Sequence, residues 1–286
     1  VWFMSAARSV CTGCARGCNT FLDYLDDTTF RYRPRENEAV NKEWMCDDGR
    51  TSFRHVNNYR ALKAREGQDG PQAKVVARGE AITKAASTLA PFAKAGKLAA
   101  LFSPVAALED LLVAALVATE GFGLKEIYVG GRGDGWQDEL LKRADENPNR
   151  KGLELVAAAF GLKVRPFANL SVAMANGSIT ALWAVGSETP ATADFLKLEA
   201  FVCQAYNADE VSKAATVLLP ASPHSEMDGT FVNFEGRAQR FELAYWPTGD
   251  SQPHWALCAE LAKALGLIYR WKNSREVFAD LGKRFG

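Results

Sequence analysis

The sequence predicts an α/β protein: a mostly parallel sheet covered by helices, preceded by a small domain of short antiparallel strands. From about residue 73 onward, short apolar runs of strand length alternate with stretches of helical periodicity. That order builds parallel sheets with helices on both faces. Before it, residues 1–66 hold four of the six cysteines, many charges and a period-2 stretch, Thr28-Thr29-Phe30-Arg31-Tyr32-Arg33. Alternation of this kind reads as half-buried antiparallel strand. Gly67-Gln68-Asp69-Gly70-Pro71 has the turn chemistry of a boundary loop. The expected division is therefore residues 1–68 and 73–286.

Within the second part, Ile82, Ala85, Ala86, Leu89 and Phe92 recur at helical spacing and predict a helix over 79–95. A short apolar strand follows over 97–102, then a strongly apolar helix over 106–119. Residues 126–129 form a strand that ends in Gly130-Gly131, and 153–160 a helix that stops at Gly161. Residues 179–185, 200–205 and 215–219 read as buried strands. An amphipathic helix over 254–265 ends at Gly266, a good C-terminal stop.

Bulk properties narrow the function classes. The 34 basic and 34 acidic side chains leave no net charge, whereas a nucleic-acid partner demands a basic footprint. A chain with so little net charge favours association and suits a subunit among neighbours. The most apolar run, 111–118, is far shorter than a bilayer span, so no direct membrane insertion is expected. Val1-Trp2-Phe3-Met4 lacks the basic and long apolar regions of a secretory signal. The chain opens on Val rather than Met, which fits a processed or partial segment.

The chemistry concentrates in the cysteines. Cys11, Cys14 and Cys18 lie within eight residues, and Cys46 follows after 27 intervening residues. Three thiols in one tight loop suit three irons of a cubane, and a returning fourth thiol suits the last. Gly13 and Gly17 let the backbone curl and aim N–H groups at sulfur. Such hydrogen bonds, with burial and charge, set a cluster's reduction potential. Arg16 between the ligands would favour the reduced state. A 4Fe–4S cluster on Cys11, Cys14, Cys18 and Cys46 is the leading reading. Structural zinc, which takes paired knuckles, and catalytic or disulfide cysteines stand as alternatives.

The stretches Ser9-Val10-Cys11-Thr12-Gly13-Cys14-Ala15-Arg16-Gly17-Cys18-Asn19 and Cys46-Asp47-Asp48-Gly49-Arg50 resemble the 4Fe–4S domain of the molybdopterin oxidoreductase superfamily. Within it, the likeness runs to the large iron–sulfur (G-type) subunit of respiratory complex I, the NADH:quinone oxidoreductase. The resemblance returns in Ala215-Thr216-Val217-Leu218-Leu219-Pro220 and in the run from Glu226 to Gln239, which matches the superfamily's E-x-D-G-T-x-x-N-x-E-G-R stretch. It continues over 255–266 and is fainter over 73–210, where Asn147-Pro148-Asn149 carries it. The resemblance implies a small N-terminal 4Fe–4S domain followed by a truncated molybdopterin-oxidoreductase-like α/β region.

Departures from the superfamily pattern shape the functional expectation. Catalytic members hold molybdenum or tungsten between two pterins and need several hundred residues. They tend to carry a Lys two residues after the fourth cluster cysteine, where this chain has Asp48. The remaining thiols, Cys203 and Cys258, sit in an apolar strand and an apolar helix and read as core. The resemblance thus implies a degenerate scaffold with one cluster, no molybdopterin and no catalytic side chain. The role implied is electron transfer in the peripheral arm of a complex I-type enzyme, on the cytoplasmic side of the membrane. Flavin- and NADH-binding and further iron–sulfur subunits are the implied partners. A subunit of an NAD-linked formate dehydrogenase, or of an NAD-reducing or bifurcating hydrogenase, is the alternative.

Other features read more plainly. Gly130-Gly131-Arg132-Gly133-Asp134-Gly135 lacks dinucleotide-loop spacing and is expected to be a surface loop. His55, His224 and His254 are scattered, with a surface role expected for His55 although it can lie near the cluster. The Glu226–Arg237 stretch is expected to form a turn network burying Phe231 and Phe234. Arg31, Arg33, Arg35 and Arg54 are placed to contact acidic neighbours or to raise the cluster potential, with Glu36, Glu38, Asp47 and Asp48 offsetting them.

Overall fold

The computed structural model describes residues 3–191 and 193–285; Val1 and Trp2, which open the stretch read for a secretory signal, lie outside the described residues. The chain begins with a three-stranded antiparallel sheet, β1 (Ser5–Val10), β2 (Asn19–Leu25) and β3 (Thr28–Pro34), in that order. Two short helices follow, α1 (Asp47–Thr51) and α2 (Arg54–Asn57). Leu22, Tyr32 and Met45 form a small apolar core here, and Ala244 and Tyr245 from the far end of the chain complete it.

The larger part is an eight-stranded sheet. Its elements in chain order are β4 (Arg65–Glu66), β5 (Lys74–Val75), α3 (Arg78–Lys94), β6 (Leu98–Phe102), α4 (Leu108–Leu116), β7 (Glu126–Val129), α5 (Arg150–Ala159), β8 (Lys163–Pro166), α6 (Phe167–Ala175), β9 (Ala181–Val185), β10 (Ala200–Ala205), α7 (Glu210–Lys213) and β11 (Val217–Pro220). After it come a hairpin, β12 (Gly229–Val232) and β13 (Ala238–Phe241), and two helices, α8 (His254–Ala264) and α9 (Ser274–Leu281). The strand order is β5-β4-β11-β10-β9-β6-β7-β8, and every pairing from β11 to β8 is parallel. The expected Gly67–Pro71 loop joins β4 to β5, an antiparallel pair at the edge of this sheet.

Strand alternation divides the apolar side chains between two layers. From β9, Ala181, Trp183 and Val185 face α3, α4, α5, α8 and α9. Leu182 and Ala184 face the other layer, with Phe167, Leu170, Phe195 and Phe201. Trp183 is closed in by Phe102 and Phe122 at ring distances of 5.7 and 5.6 Å. Side chains of this size each contribute about 2–3 kcal/mol on burial. Helix α4 is buried along its whole length, Glu109 and Asp110 included; its apolar run from Leu111 demands cover on every face. Cys203 and Cys258 are fully buried in opposite layers. Among the described residues, no helix is long and apolar enough to cross a membrane.

Reading outward from β6, the chain first fills β7 and β8 on one side, then returns to β9, β10 and β11 on the other. The order therefore reverses between β6 and β9. A crevice at the carboxyl ends of the strands is expected at such a switch point, and this is where the cysteine domain sits.

Candidate functional site: four thiols around one cavity

The eight residues between β1 and β2 turn back on themselves, and the Cys11 N–H donates to the Cys18 carbonyl at 2.8 Å. Gly17 closes the turn at φ +65°, a conformation that favours glycine, with its N–H on the Cys14 carbonyl at 3.3 Å. The fourth thiol arrives separately: Cys46 caps the N-terminus of α1 and accepts the Gly49 N–H at 3.4 Å. All four sulfurs line one cavity of about 410 Å³. None is in a disulfide.

Two glycines keep the space clear. A Cβ at Gly49 would lie 3.0 Å from Cys11 Sγ and 3.4 Å from Cys46 Sγ; one at Gly13 would lie 3.4 Å from Cys11 Sγ. The Gly13 N–H donates to that same sulfur at 3.4 Å. Burial pushes the Cys11 thiol up to about 12 and raises Cys18 and Cys46 as well, the neighbouring thiols adding to the effect. Such thiols ionise only when cationic iron or another metal compensates them. Among the described residues, no three His, Cys, Asp or Glu side chains converge tightly enough to hold a single metal ion. The thiols surround a volume rather than a point.

The cysteine loop is held by segments distant in sequence. The Ala15 N–H donates to the Asp145 carbonyl at 2.8 Å, and the Phe234 N–H to the Ala15 carbonyl at 3.0 Å. Gln239 Nε2 reaches the Gly17 carbonyl at 2.7 Å and Asn233 Nδ2 the Arg16 carbonyl at 3.4 Å. The motif-bearing hairpin β12–β13 thus clamps the loop. Behind it, Glu109 accepts both the N–H and the hydroxyl of Thr230 at 2.8 Å, and Asn149 Oδ1 accepts the Val232 N–H at 2.8 Å. Glu226 is fully buried against Arg60, at 2.5 and 2.9 Å. Phe231 is buried as the turn-network reading requires, while Phe234 is half-exposed and sandwiched by cations. The guanidiniums of Arg143 and Arg16 lie 3.8 and 5.4 Å from its ring centre.

Three sequence expectations change here. The Gly130–Gly135 segment is not simply a surface loop: Gly130 and Gly131 are buried, and Arg132 turns into the cavity. His55 lines the cavity instead of the surface, stacks on His224 at 6.4 Å, and is held down to about 4 by burial. Arg16 does not line the cavity; its guanidinium donates to the Leu140 and Leu141 carbonyls at 2.9 Å. Arg31 and Arg33 pair with Asp23 at 2.6 and 2.7 Å. Burial opposes the charge on that carboxyl, but the two guanidiniums hold it below the usual range. Arg35 bonds Asn19 at 2.7 Å.

The cation at the mouth, which the sequence did not reveal, is Lys142. Its Nζ bonds Asp48 at 2.6 Å and Glu146 at 3.2 Å and lies 4.9 Å from the Trp136 ring centre. Its side chain is only 6% exposed. Asp48 has its carboxyl lowered, chiefly by this lysine.

The switch-point crevice next door is nearly full. Glu188 accepts the Ser103 hydroxyl at 2.8 Å and the Tyr206 hydroxyl at 2.9 Å, bridging the carboxyl ends of β6 and β10. The Ser187 hydroxyl bonds Asp209 at 2.5 Å. His224 bonds Tyr32 at 3.0 Å, and His254 bonds Gln204 at 3.0 Å. A cavity of about 20 Å³ is left among Val105, Gly186, Glu188, His224 and Phe231.

The molybdopterin oxidoreductase family profile matches residues 46–264. The chain therefore belongs to the molybdopterin oxidoreductase family. The match begins at the fourth cysteine, and the Cys11–Cys18 loop lies outside it. A putative formate dehydrogenase of Staphylococcus aureus strain USA300 is 31% identical over 137 residues, covering 43% of this chain and 14% of that protein. A putative formate dehydrogenase of strain NCTC 8325 / PS 47 gives the same figures. The chain thus spans a small part of these relatives. Acetylene hydratase from Pelobacter acetylenicus shares the fold, with a TM-score of 0.60 over 95% of this chain and 71% of that one, at 10% identity.

Proposed function

We propose, from this family membership, that the chain is an electron-carrying part of a multi-subunit oxidoreductase, holding one 4Fe–4S cluster on Cys11, Cys14, Cys18 and Cys46. The observation that carries the reading is the meeting of four thiols, three local and one distant, around a single cavity. Gly13 and Gly49 leave room beside the sulfurs where a side chain would intrude. A 4Fe–4S cluster bound there takes up and releases one electron at a time. The chain's own residues supply the rest. The Gly13 and Gly49 N–H groups point at sulfur, and the clamp from β12–β13 fixes the loop. The segment from Arg132 to Glu146 covers it from outside.

The residues present do not fit a pterin. The switch point is filled by the Ser103–Glu188–Tyr206 bridge, and Glu188 and Asp209 add carboxylates to the lining of the adjoining cavity, which disfavours a phosphate-bearing cofactor there. We therefore assign no pterin and no catalytic side chain to this chain. The reading is that of a complex I-type NADH:quinone oxidoreductase subunit, working at the cytoplasmic face of a membrane beside flavin- and NADH-binding partners. Its domains are a cluster domain over 1–68 and a scaffold over 73–286. The formate dehydrogenase relatives favour a second reading, the cluster-bearing part of a formate-oxidising enzyme.

Metal analysis and co-purification test this together. Protein isolated with its neighbours is expected to bring a flavin-bearing subunit and to release no pterin on denaturation. Molybdenum or tungsten with pterin fluorescence would overturn the complex I reading in favour of the second.

A further inference from the structure

We infer that Arg132 sets the charge and hydrogen-bond environment of the cluster, as a positioning residue; the inference rests on the cluster assignment above. Arg132 follows β7 on a backbone that has little freedom. Gly131 has φ +89°, and a Cβ there would lie 2.4 Å from Asn147 Oδ1 and 2.7 Å from Pro104. The Arg132 N–H donates to Asn147 Oδ1 at 2.8 Å and its carbonyl accepts Asn147 Nδ2 at 2.9 Å. Asn147 is itself fully buried. The side chain is thus launched into the cavity from a fixed base.

There its Nη1 donates to the Thr12 carbonyl at 2.6 Å and to the Glu146 carbonyl at 3.1 Å. The Thr12 carbonyl and the Gly13 N–H belong to one planar peptide and point in opposite directions. Holding the oxygen therefore turns the N–H toward Cys11 Sγ, which it meets at 3.4 Å. Two effects of one guanidinium act in the same direction: a nearby positive charge and a donor aimed at sulfur both favour the more negative, reduced cluster. The rival cations are committed elsewhere. Lys142 is neutralised by Asp48 and Glu146. Arg16, like Arg132, bonds only carbonyls, but Arg132 lines the cavity and Arg16 does not.

The test is an EPR-monitored redox titration of the anaerobically prepared full chain carrying Arg132→Gln, Arg132→Lys or Arg16→Gln. Arg132→Gln is expected to weaken reduction at least tenfold, a shift of about 59 mV to more negative potential for one electron. Arg132→Lys retains the charge and is expected to recover most of that shift, and Arg16→Gln, from outside the cavity lining, to shift the potential less than Arg132→Gln. A wild-type potential in Arg132→Gln with iron and sulfide intact would overturn the inference, as would an equal shift in Arg16→Gln. If Arg132→Gln holds no iron, Arg132→Lys decides: a potential near wild type supports the assignment, and one shifted tenfold overturns it. Iron and sulfide in the wild type test the cluster assignment separately, and their absence there would remove both.

Discussion

The cysteine cavity and the switch-point crevice share His55, Glu188 and Tyr206, yet one keeps about 410 Å³ and the other about 20 Å³. The open side is kept open by glycines, Gly13 and Gly49, set against Cys11 and Cys46, whose thiols burial pushes up. The closed side is filled by polar side chains bonded to one another, Glu188 to Ser103 and Tyr206, His254 to Gln204, His224 to Tyr32. Buried polar groups left without partners cost about 1–3 kcal/mol each, so a self-satisfied network closes a crevice stably. The four cysteines instead border open space. That contrast sets an open cavity beside a crevice filled by its own side chains in a single fold.

The strongest way to break the contrast is Cys14→Ser. It is expected to remove the low-temperature EPR signal of the reduced protein and most of its iron, while the α/β layers, which share no core with the cysteine loop, keep their helical circular dichroism. Unchanged iron and sulfide in Cys14→Ser would count against the ligand set. On the closed side, Arg60→Met strands the Glu226 carboxylate, which has no exposed surface. Breaking a buried pair in this way costs about 3–5 kcal/mol. Chemical denaturation measures it, and a loss under ~1 kcal/mol would mean that Ser251 and Thr248 satisfy Glu226 without Arg60.

His254 gives the closed side a pH signature. Burial lowers it from the ordinary 6.5 to about 4, so between those values the unfolded chain binds a proton that the native protein refuses. A depressed folded pKa means that this stability is fully present above pH 6.5 and is lost as pH falls toward 4. The span corresponds to roughly 3 kcal/mol. His254→Gln is expected to flatten the stability profile by about one proton over that window, and an unaltered slope would refute it. The smallest effect belongs to Gly49→Ala. Its methyl must displace Met45 or a ligand sulfur, an overpacking worth about 1–3 kcal/mol, and iron occupancy after reconstitution is expected to drop. Equal occupancy would show that the cavity wall gives way there.

What the sequence revealed and what it hid follow the range of the interactions. The strand read over 179–185 is visible because β9, covered on both faces, is an unbroken apolar run from Ala181 to Val185, and β10 is apolar except for Gln204. The cysteine spacing is visible because three of the four thiols share one loop. β8 was missed: Lys163, Val164, Arg165 and Pro166 are all exposed on the sheet's edge, so no burial pattern marks them. Helix α9 carries a start signal in the sequence, Asn273 three residues before Glu276, and the Asn273 side chain does accept the Glu276 N–H. Arg132 and Lys142 could not be found at all by local reading. Their partners Thr12 and Asp48 lie 120 and 94 residues away, and nothing in a glycine-rich loop says which way its arginine turns.

Everything returns to whether iron occupies the space between the four thiols. Protein purified without oxygen and analysed for iron, acid-labile sulfide and zinc answers it directly. Four irons and four sulfides per chain are expected, with the brown absorbance lost in Cys14→Ser. Colourless protein holding one zinc would contradict it.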